Sequence, residues 1–302
     1  MFRKILIFGI GGLVLLLGAG ELVIRATGIT DFPIYEADSE IGYALNPNQH
    51  GRFLNKNEWF VNQKQQCTTE WIPSGKDDIL LLGDSLVLGG NPLTQSDRLA
   101  TRLQALIPES HVWPAAAGSW AVPNEVAYLN RYPEVARDAE RLVWVLNSGD
   151  LDDGSVWKSE ITHPRYHPWS SLLYVLEKYG QPKLLGNPVP EAGGVPVDPQ
   201  IRPTSISLLT QKLAELRRQR PDRHVTLVVY PTADELRHTS PHSEAFYQRF
   251  LGTVREIGVD AGVSVIEIRA DPRWRPEFYR DGIHPNAAGN VVLARIIADG
   301  MH

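Results

Sequence analysis

From Ile79 to the end of the chain, short apolar runs alternate with segments of helical period. The runs are Ile79–Leu82, His111–Ala115, Leu142–Leu146, Val225–Tyr230 and Val263–Ile268. Between or after them lie Ser96–Leu106, Asn124–Tyr132, Ser205–Arg218, Ser243–Ala261 and Ala287–Ala298, where apolar residues recur at helical spacing. A strand buried on both faces reads as a continuous apolar run, and parallel strands need a helical crossover between them. The alternation therefore predicts βαβ units, a mainly parallel sheet of about five strands and a small doubly wound α/β fold. Sites in such folds gather at the C-terminal ends of the strands.

One stretch breaks the rhythm. Residues 151–203 are rich in Pro and Gly, carry Trp157, Tyr166, Trp169, Tyr174 and Tyr179, and contain no clear strand. An irregular insertion of this length in a compact domain reads as a functional loop, a lid or a flexible segment. Its aromatics are read first as packing on the body. Ahead of the alternation, residues 26–76 have no strong period and read as a lead-in with one or two short strands, packed on a main domain spanning 77–302.

The first 25 residues differ from all of this. Arg3 and Lys4 precede an uncharged run from Ile5 to Gly20, and Glu21 and Arg25 flank a last apolar patch, Leu22–Ile24. A membrane span needs roughly 20 apolar residues, with a lower limit near about 17. An anchor and a cleaved signal peptide therefore compete. Gly18-Ala19-Gly20 offers small residues for cleavage, but Leu22-Val23-Ile24 carries the apolar character beyond them, and the anchor is the favoured reading. The basic pair favours a cytoplasmic N-terminus, which puts everything after residue 26 outside the inner membrane. The net charge is −5 with no basic stripe, which argues against a nucleic-acid partner. Cys67 is the only cysteine, so neither a disulfide framework nor a thiolate metal cage is expected.

Two short motifs carry chemistry. Gly83-Asp84-Ser85-Leu86 directly follows the first apolar run, where a strand-end serine presents its Oγ at the mouth of the sheet and a following helix N-terminus favours negative charge. Asp281-Gly282-Ile283-His284-Pro285-Asn286 lies near the other end of the chain. A serine hydroxyl is a weak nucleophile and needs a base held by a third group. Asp281 and His284, three apart in a tight turn, suit that need: the carboxylate holds one ring nitrogen and the other takes the serine proton. Alone, the first motif also reads as an ordinary strand-to-helix turn, and the second as a capping aspartate beside a surface histidine. Their position at opposite ends of one α/β region makes the pair far more specific than either.

With these residues the chain resembles the SGNH/GDSL hydrolase superfamily over roughly residues 77–300. The first block of that family matches Gly83-Asp84-Ser85-Leu86, and its last matches Asp281, His284 and Pro285. Its second block, a glycine after the second strand, matches Gly118 in Ala116-Ala117-Gly118-Ser119-Trp120. The resemblance implies a three-layer α/β/α sandwich of flavodoxin-like kind, and an oxyanion hole that includes the amides of Ser85 and Gly118. The third block departs from the family pattern. Where the family has G-x-N-D, this chain reads Leu146-Asn147-Ser148-Gly149-Asp150. Either Asn147 swings in to complete the oxyanion hole, or the hole has backbone donors only.

The resemblance implies a serine esterase that needs no metal or organic cofactor. Its expected substrate is an acylated glycan: removal of small acyl groups, most simply acetyl, from an envelope or exported polysaccharide. The lead-in also resembles that of anchored members found with polysaccharide biosynthesis and export proteins, which would be its partners. An O-acyltransferase using the same Ser85, His284 and Asp281, a binding protein of an export complex, and a lipid esterase or thioesterase remain open. His163 and His167 read as loop histidines, Asp152 and Asp153 as a solvated turn, and Arg217, Arg218 and Arg220 as the polar end of a helix.

Overall fold

The computed structural model describes residues 2–74, 77–180 and 199–301. Of the irregular insertion read at 151–203, residues 181–198 lie outside the described residues. Helix α1 (Phe2–Ala26) runs into two antiparallel hairpins, β1 (Tyr35–Asp38) with β2 (Gly42–Leu45) and β3 (Gln49–Phe53) with β4 (Asn57–Val61). The body opens with β5 (Ile79–Gly83), the single-turn α2 (Ser85–Leu88), α3 (Leu99–Leu106) and β6 (Val112–Ala116). It continues with α4 (Val122–Arg131), α5 (Pro133–Asp138) and β7 (Arg141–Leu146). The insertion carries α6 (Ser171–Val175). Then follow α7 (Pro203–Gln219), β8 (His224–Val229), α8 (Ala233–Arg237), α9 (Pro241–Ala261), β9 (Ser264–Glu267) and α10 (Ala287–Gly300).

Strands β5 to β9 form one parallel sheet in the order β6-β5-β7-β8-β9. From β5 the chain steps outward to β6 and then returns to β7 on the other side of β5. The winding direction reverses there, so a crevice opens beyond the C-terminal end of β5. The side-chain period of two sorts the core into two faces. Ile79, Leu81, Val143 and Val145 meet Leu99 and Leu103 of α3 and Leu293 and Ile297 of α10. Leu80, Leu82 and Trp144 meet Val126 of α4, Leu209 of α7 and Phe250 of α9 on the other face. The result is the expected three-layer α/β/α sandwich.

Local chemistry fixes the helix ends. Asn286 caps α10 by accepting from the Gly289 amide at 2.8 Å. Ser240 caps α9, Pro241 occupies its first turn, and Gly262 ends it in the left-handed region at φ 62°. The lead-in departs from its sequence reading: it holds four strands rather than one or two. These strands are short, and β3 alternates half-exposed and exposed positions with little apolar content, so periodicity alone does not reveal them. They are set by tertiary contact. The Trp120 indole donates to Tyr43 O at 2.8 Å and the Trp59 indole to Asp31 O at 3.1 Å, burying both lead-in aromatics.

Within α1, Ile7–Ala26 is long and apolar enough, by length and composition, to cross a membrane, and its apolar side chains are exposed. Its last turns dock on the body. Glu21 accepts from the Ser171 and Leu172 amides at 2.9 Å each and from the Ser170 hydroxyl at 2.8 Å.

Candidate active site

Ser85 sits at the sheet's winding reversal, immediately beyond β5. Gly83 makes the approach possible, because a Cβ there would lie 2.8 Å from Val87 Cγ2 and 3.0 Å from the Val145 carbonyl. Asp84 then caps the single turn α2 by accepting from the Leu86 amide at 2.8 Å, and Gly89 ends that turn at φ 79°. The chain thus turns sharply, leaving Ser85 at the start of a helical turn with its hydroxyl facing the loop between Tyr279 and Asn286.

That loop is held mainly by backbone bonds. Arg280 N donates to His284 O at 2.9 Å, Ala233 N to Gly282 O at 2.9 Å, and the Tyr230 hydroxyl to Ile283 O at 2.9 Å. His284 Nε2 lies 2.9 Å from Ser85 Oγ. On the far side of the ring, Nδ1 lies 2.9 Å and 3.0 Å from the two carboxylate oxygens of Asp281. Asp281 also accepts from the amides of Ile283 and His284 at 3.0 Å and 2.8 Å. Partial burial raises its carboxyl, but hydrogen bonds from the His284 ring and these two amides outweigh that and hold it well below the usual range. An ionised Asp281 keeps the proton on Nδ1, so Nε2 presents its lone pair to the serine hydroxyl. A hydroxyl, an imidazole and a carboxylate in this sequence can carry out nucleophilic acyl transfer.

Gly118 lines the same cavity as Ser85, where the backbone turns through a left-handed Ser119 at φ 61°. Asn147 does not join them, and its oxyanion assignment is corrected. Its Nδ2 donates to Asp84 Oδ2 at 3.1 Å and Asp150 Oδ1 at 2.9 Å, and its Oδ1 accepts from the Gly149 amide at 2.8 Å. With both amide protons spent on buried carboxylates, Asn147 supports Asp84 from behind and has no donor to offer an oxyanion. Asn147→Ala is therefore expected to lower stability by about 2–3 kcal/mol, because two buried acids lose a partner, while kcat falls less than about 10-fold. Thermal melts alongside steady-state kinetics check this; a large loss of kcat in a stable variant would restore the oxyanion role.

Behind the serine, burial raises the pKa of Asp84 and Asp150, and it raises that of Glu125 to about 8. Glu125 accepts from the Trp144 indole at 2.6 Å, and its other oxygen is buried without a partner. A carboxyl raised on folding favours the folded state while it is neutral. That contribution is complete below the unfolded value and is lost as pH rises from 4.5 through about 8. Glu125→Gln keeps the acceptor and removes the titration. Its melting temperature is expected to fall less than the parent's across that interval; an identical slope would show that Glu125 does not titrate there.

The cavity beyond Ser85 has a volume of about 380 Å³. Aromatic side chains wall it: Phe32, Tyr35 and Phe53 from the lead-in, and Tyr174 and Tyr179 from the insertion. Three residues that the sequence reading did not select also line it: Arg98, Lys178 and Arg280. Burial lowers the Arg280 guanidinium and takes the Lys178 ammonium down to about 8. Arg280 Nη1 donates to Gly89 O at 2.9 Å and its Nε approaches Asp281 Oδ2 at 3.4 Å, tying the serine turn to the histidine loop.

His163 lies on a loop, as read, but that loop buries it: it is 5% exposed and lines the cavity. Its ring packs 4.2 Å from Tyr43 and 5.0 Å, edge-on, from Tyr35. Its Nε2 faces Gly118 O at 3.3 Å, and burial lowers its pKa to about 4, leaving it neutral. His163 thereby braces Gly118. The nearest sequence hint was its place in an aromatic-rich insertion. His167 instead pairs Nδ1 with Thr30 O at 3.1 Å on an exposed surface.

Residues 81–292 match the model of the GDSL-like lipase/acylhydrolase family. No curated protein matches the chain. Among solved structures, an alpha/beta hydrolase enzyme from the metagenome of Lake Arreo, Spain, is 13% identical with a TM-score of 0.47, covering 75% of this chain and 95% of its own. An acetyl xylan esterase is 14% identical with a TM-score of 0.46, covering 74% and 98%. A catalytic mutant of an acetylxylan esterase from Geobacillus stearothermophilus is 13% identical with a TM-score of 0.45, covering 75% and 94%.

Proposed function

We propose that this chain, which belongs to the GDSL-like lipase/acylhydrolase family and is an ester-bond hydrolase, uses Ser85 to remove small acyl groups, acetyl first among them, from a polysaccharide outside the membrane. The observation that carries the assignment of residues is the line Ser85 Oγ, His284 Nε2, His284 Nδ1 and Asp281, with both contacts at 2.9 Å.

In this reading Ser85 Oγ attacks the ester carbonyl as His284 Nε2 takes its proton. Negative charge grows on the carbonyl oxygen and is met by the amides of Ser85 and Gly118. The tetrahedral intermediate collapses, His284 returns the proton to the leaving sugar hydroxyl, and the acyl group stays on Ser85. Water, deprotonated by the same His284, then attacks the acyl-enzyme and releases the acid. Asp281 remains ionised throughout, fixing the ring and stabilising the imidazolium. With Asn147 turned away, two backbone donors do the work of the hole.

Aromatic walls around the cavity support a glycan as the leaving group, since sugar rings present apolar faces that pack on aromatic rings. Chain-length dependence tests the acyl assignment. The detergent-solubilised protein is expected to hydrolyse p-nitrophenyl acetate and to lose kcat/KM as the acyl chain lengthens. A preference for long chains would point to lipid esters, and acyl transfer to an added sugar would point to a transferase.

The exposed apolar surface of α1 supports a membrane helix, and Leu22-Val23-Ile24 beyond the small residues supports its staying uncleaved. Arg3 and Lys4 ahead of it support a body on the far side of the inner membrane. A reporter fused after residue 30 is expected to be active in the periplasm while the whole chain stays with the membrane fraction. A shortened soluble form would replace the anchor with a cleaved signal.

A further inference from the structure

The cavity that holds Ser85 is lined by the side chains of Arg98, Lys178 and Arg280 against one carboxylate, Asp281. We propose that Arg98 and Lys178, with Arg280 beside them, form an anion subsite, so that the ester attacked by Ser85 belongs to an acidic sugar whose carboxylate or phosphate they bind. This rests on the esterase reading above and narrows its substrate class.

Arg98 makes the first part of the case. It is 2% exposed and has no carboxylate partner among the described residues. Its Nη1 donates to Leu88 O and, at 2.8 Å, to Cys67 Sγ; its Nη2 donates to Gly90 O at 3.3 Å. Its Nε is buried with no hydrogen-bond partner. None of these acceptors carries charge, because burial pushes the Cys67 thiol up and keeps it protonated. A buried cation without a counter-ion is costly, and covering it further with a neutral substrate adds to that cost. An anionic ligand offsets both.

Lys178, from the insertion, makes the second part independently. Its ammonium donates to the Tyr174 hydroxyl at 2.7 Å and sits among the rings of Phe32, Tyr174 and Tyr179, at 6.0, 5.2 and 6.0 Å from their centroids. Ring faces and a neutral phenol soften the charge without cancelling it. Asp281 approaches Arg280 Nε at 3.4 Å and offsets that cation in part, but its other contacts are to His284 and two backbone amides, and none reaches Arg98 or Lys178 among the described residues. The buried acids Asp84, Glu125 and Asp150 do not line the cavity: they lie behind the serine and are bound to Asn147 and Trp144. A neutral glycan closing over this cavity would therefore desolvate positive charge with nothing in return.

The test compares ester pairs that differ only in charge, using the full chain in detergent. The substrates are an O-acetylated methyl galacturonide, its C6 methyl ester, and an O-acetylated methyl hexoside 6-phosphate. The acid is expected to exceed its methyl ester in kcat/KM by about 10- to 100-fold, the range of a charge-assisted hydrogen bond. Lys178→Met is expected to cut that ratio by about 10-fold, and Arg98→Gln to do the same where the variant folds. A still greater rate with the phosphate would assign the subsite to phosphate. Equal turnover of acid and methyl ester would overturn the subsite while leaving the esterase intact. Release of fatty acid from phosphatidylglycerol vesicles without turnover of any sugar ester would overturn the acidic-sugar assignment. Calorimetric binding of unacylated methyl galacturonide, read against its methyl ester, reports on the subsite even if no ester turns over. Selective binding of the acid that Lys178→Met abolishes upholds the subsite; no selectivity overturns it.

Discussion

Ser85→Ala is expected to lower kcat for p-nitrophenyl acetate by about 10⁴- to 10⁶-fold, to near the rate left by binding and the oxyanion hole alone. The size follows from position. Ser85 Oγ is the atom placed 2.9 Å from a ring nitrogen of His284. Asp84 lies farther from Oγ, at 3.4 Å, and its two oxygens already accept from the Leu86 amide and the Asn147 side chain, so it holds the turn rather than taking the serine proton. Alanine fits the site without strain, and the helical turn is capped by Asp84 rather than by residue 85. Folding is thus unchanged, and KM is expected to move little. A variant that keeps more than about a hundredth of the parent kcat would mean that another group forms the acyl-enzyme.

Loss of the base is expected to be almost as severe. His284→Ala leaves Ser85 with no proton acceptor on the cavity side and should reduce kcat by about 10⁴-fold or more. Asp281→Asn probes the same relay more finely. An amide in place of the carboxylate keeps Oδ1, which accepts from the amides of both Ile283 and His284, and so preserves the loop. It no longer obliges Nδ1 to carry the proton, however, and the tautomer with Nε2–H cannot accept from Ser85. The expected loss is about 10³- to 10⁴-fold in kcat with a nearly unchanged melting temperature. Both variants are measured by pre-steady-state and steady-state kinetics on p-nitrophenyl acetate. A near-normal Asp281→Asn would reduce Asp281 to a turn cap.

The sequence reveals what local pattern encodes. Four of the five sheet strands are buried along most of their length and announce themselves as apolar runs. The edge strand β9 is only partly buried and carries Ser264 and Glu267 at its ends, and parallel pairing follows from the helices between the strands. Ser85 is legible because it directly follows such a run, and Asp281 and His284 because they share one short turn. What the sequence hides depends on convergence between distant segments. Asn147 looked available, but its amide is committed to Asp84, 63 residues away, and to Asp150. His163 reaches Gly118 across 45 residues. Arg98, Lys178 and Arg280 come from a helix cap, the insertion and the histidine loop, and nothing in their spacing shows that they share a cavity. The lead-in strands were underread for the same reason: Tyr43 and Trp59 are buried by contacts that short-range periodicity does not record.

The central claim is that Ser85, driven by His284, is the nucleophile. Labelling the detergent-solubilised protein with a fluorophosphonate and mapping the adduct by mass spectrometry tests it most directly, because the reagent needs an activated hydroxyl but no knowledge of the substrate. The expected result is one stoichiometric adduct, on Ser85, absent in Ser85→Ala and slowed by about 10³-fold or more in His284→Ala. An adduct on a different residue, or no adduct on a folded protein, would contradict it.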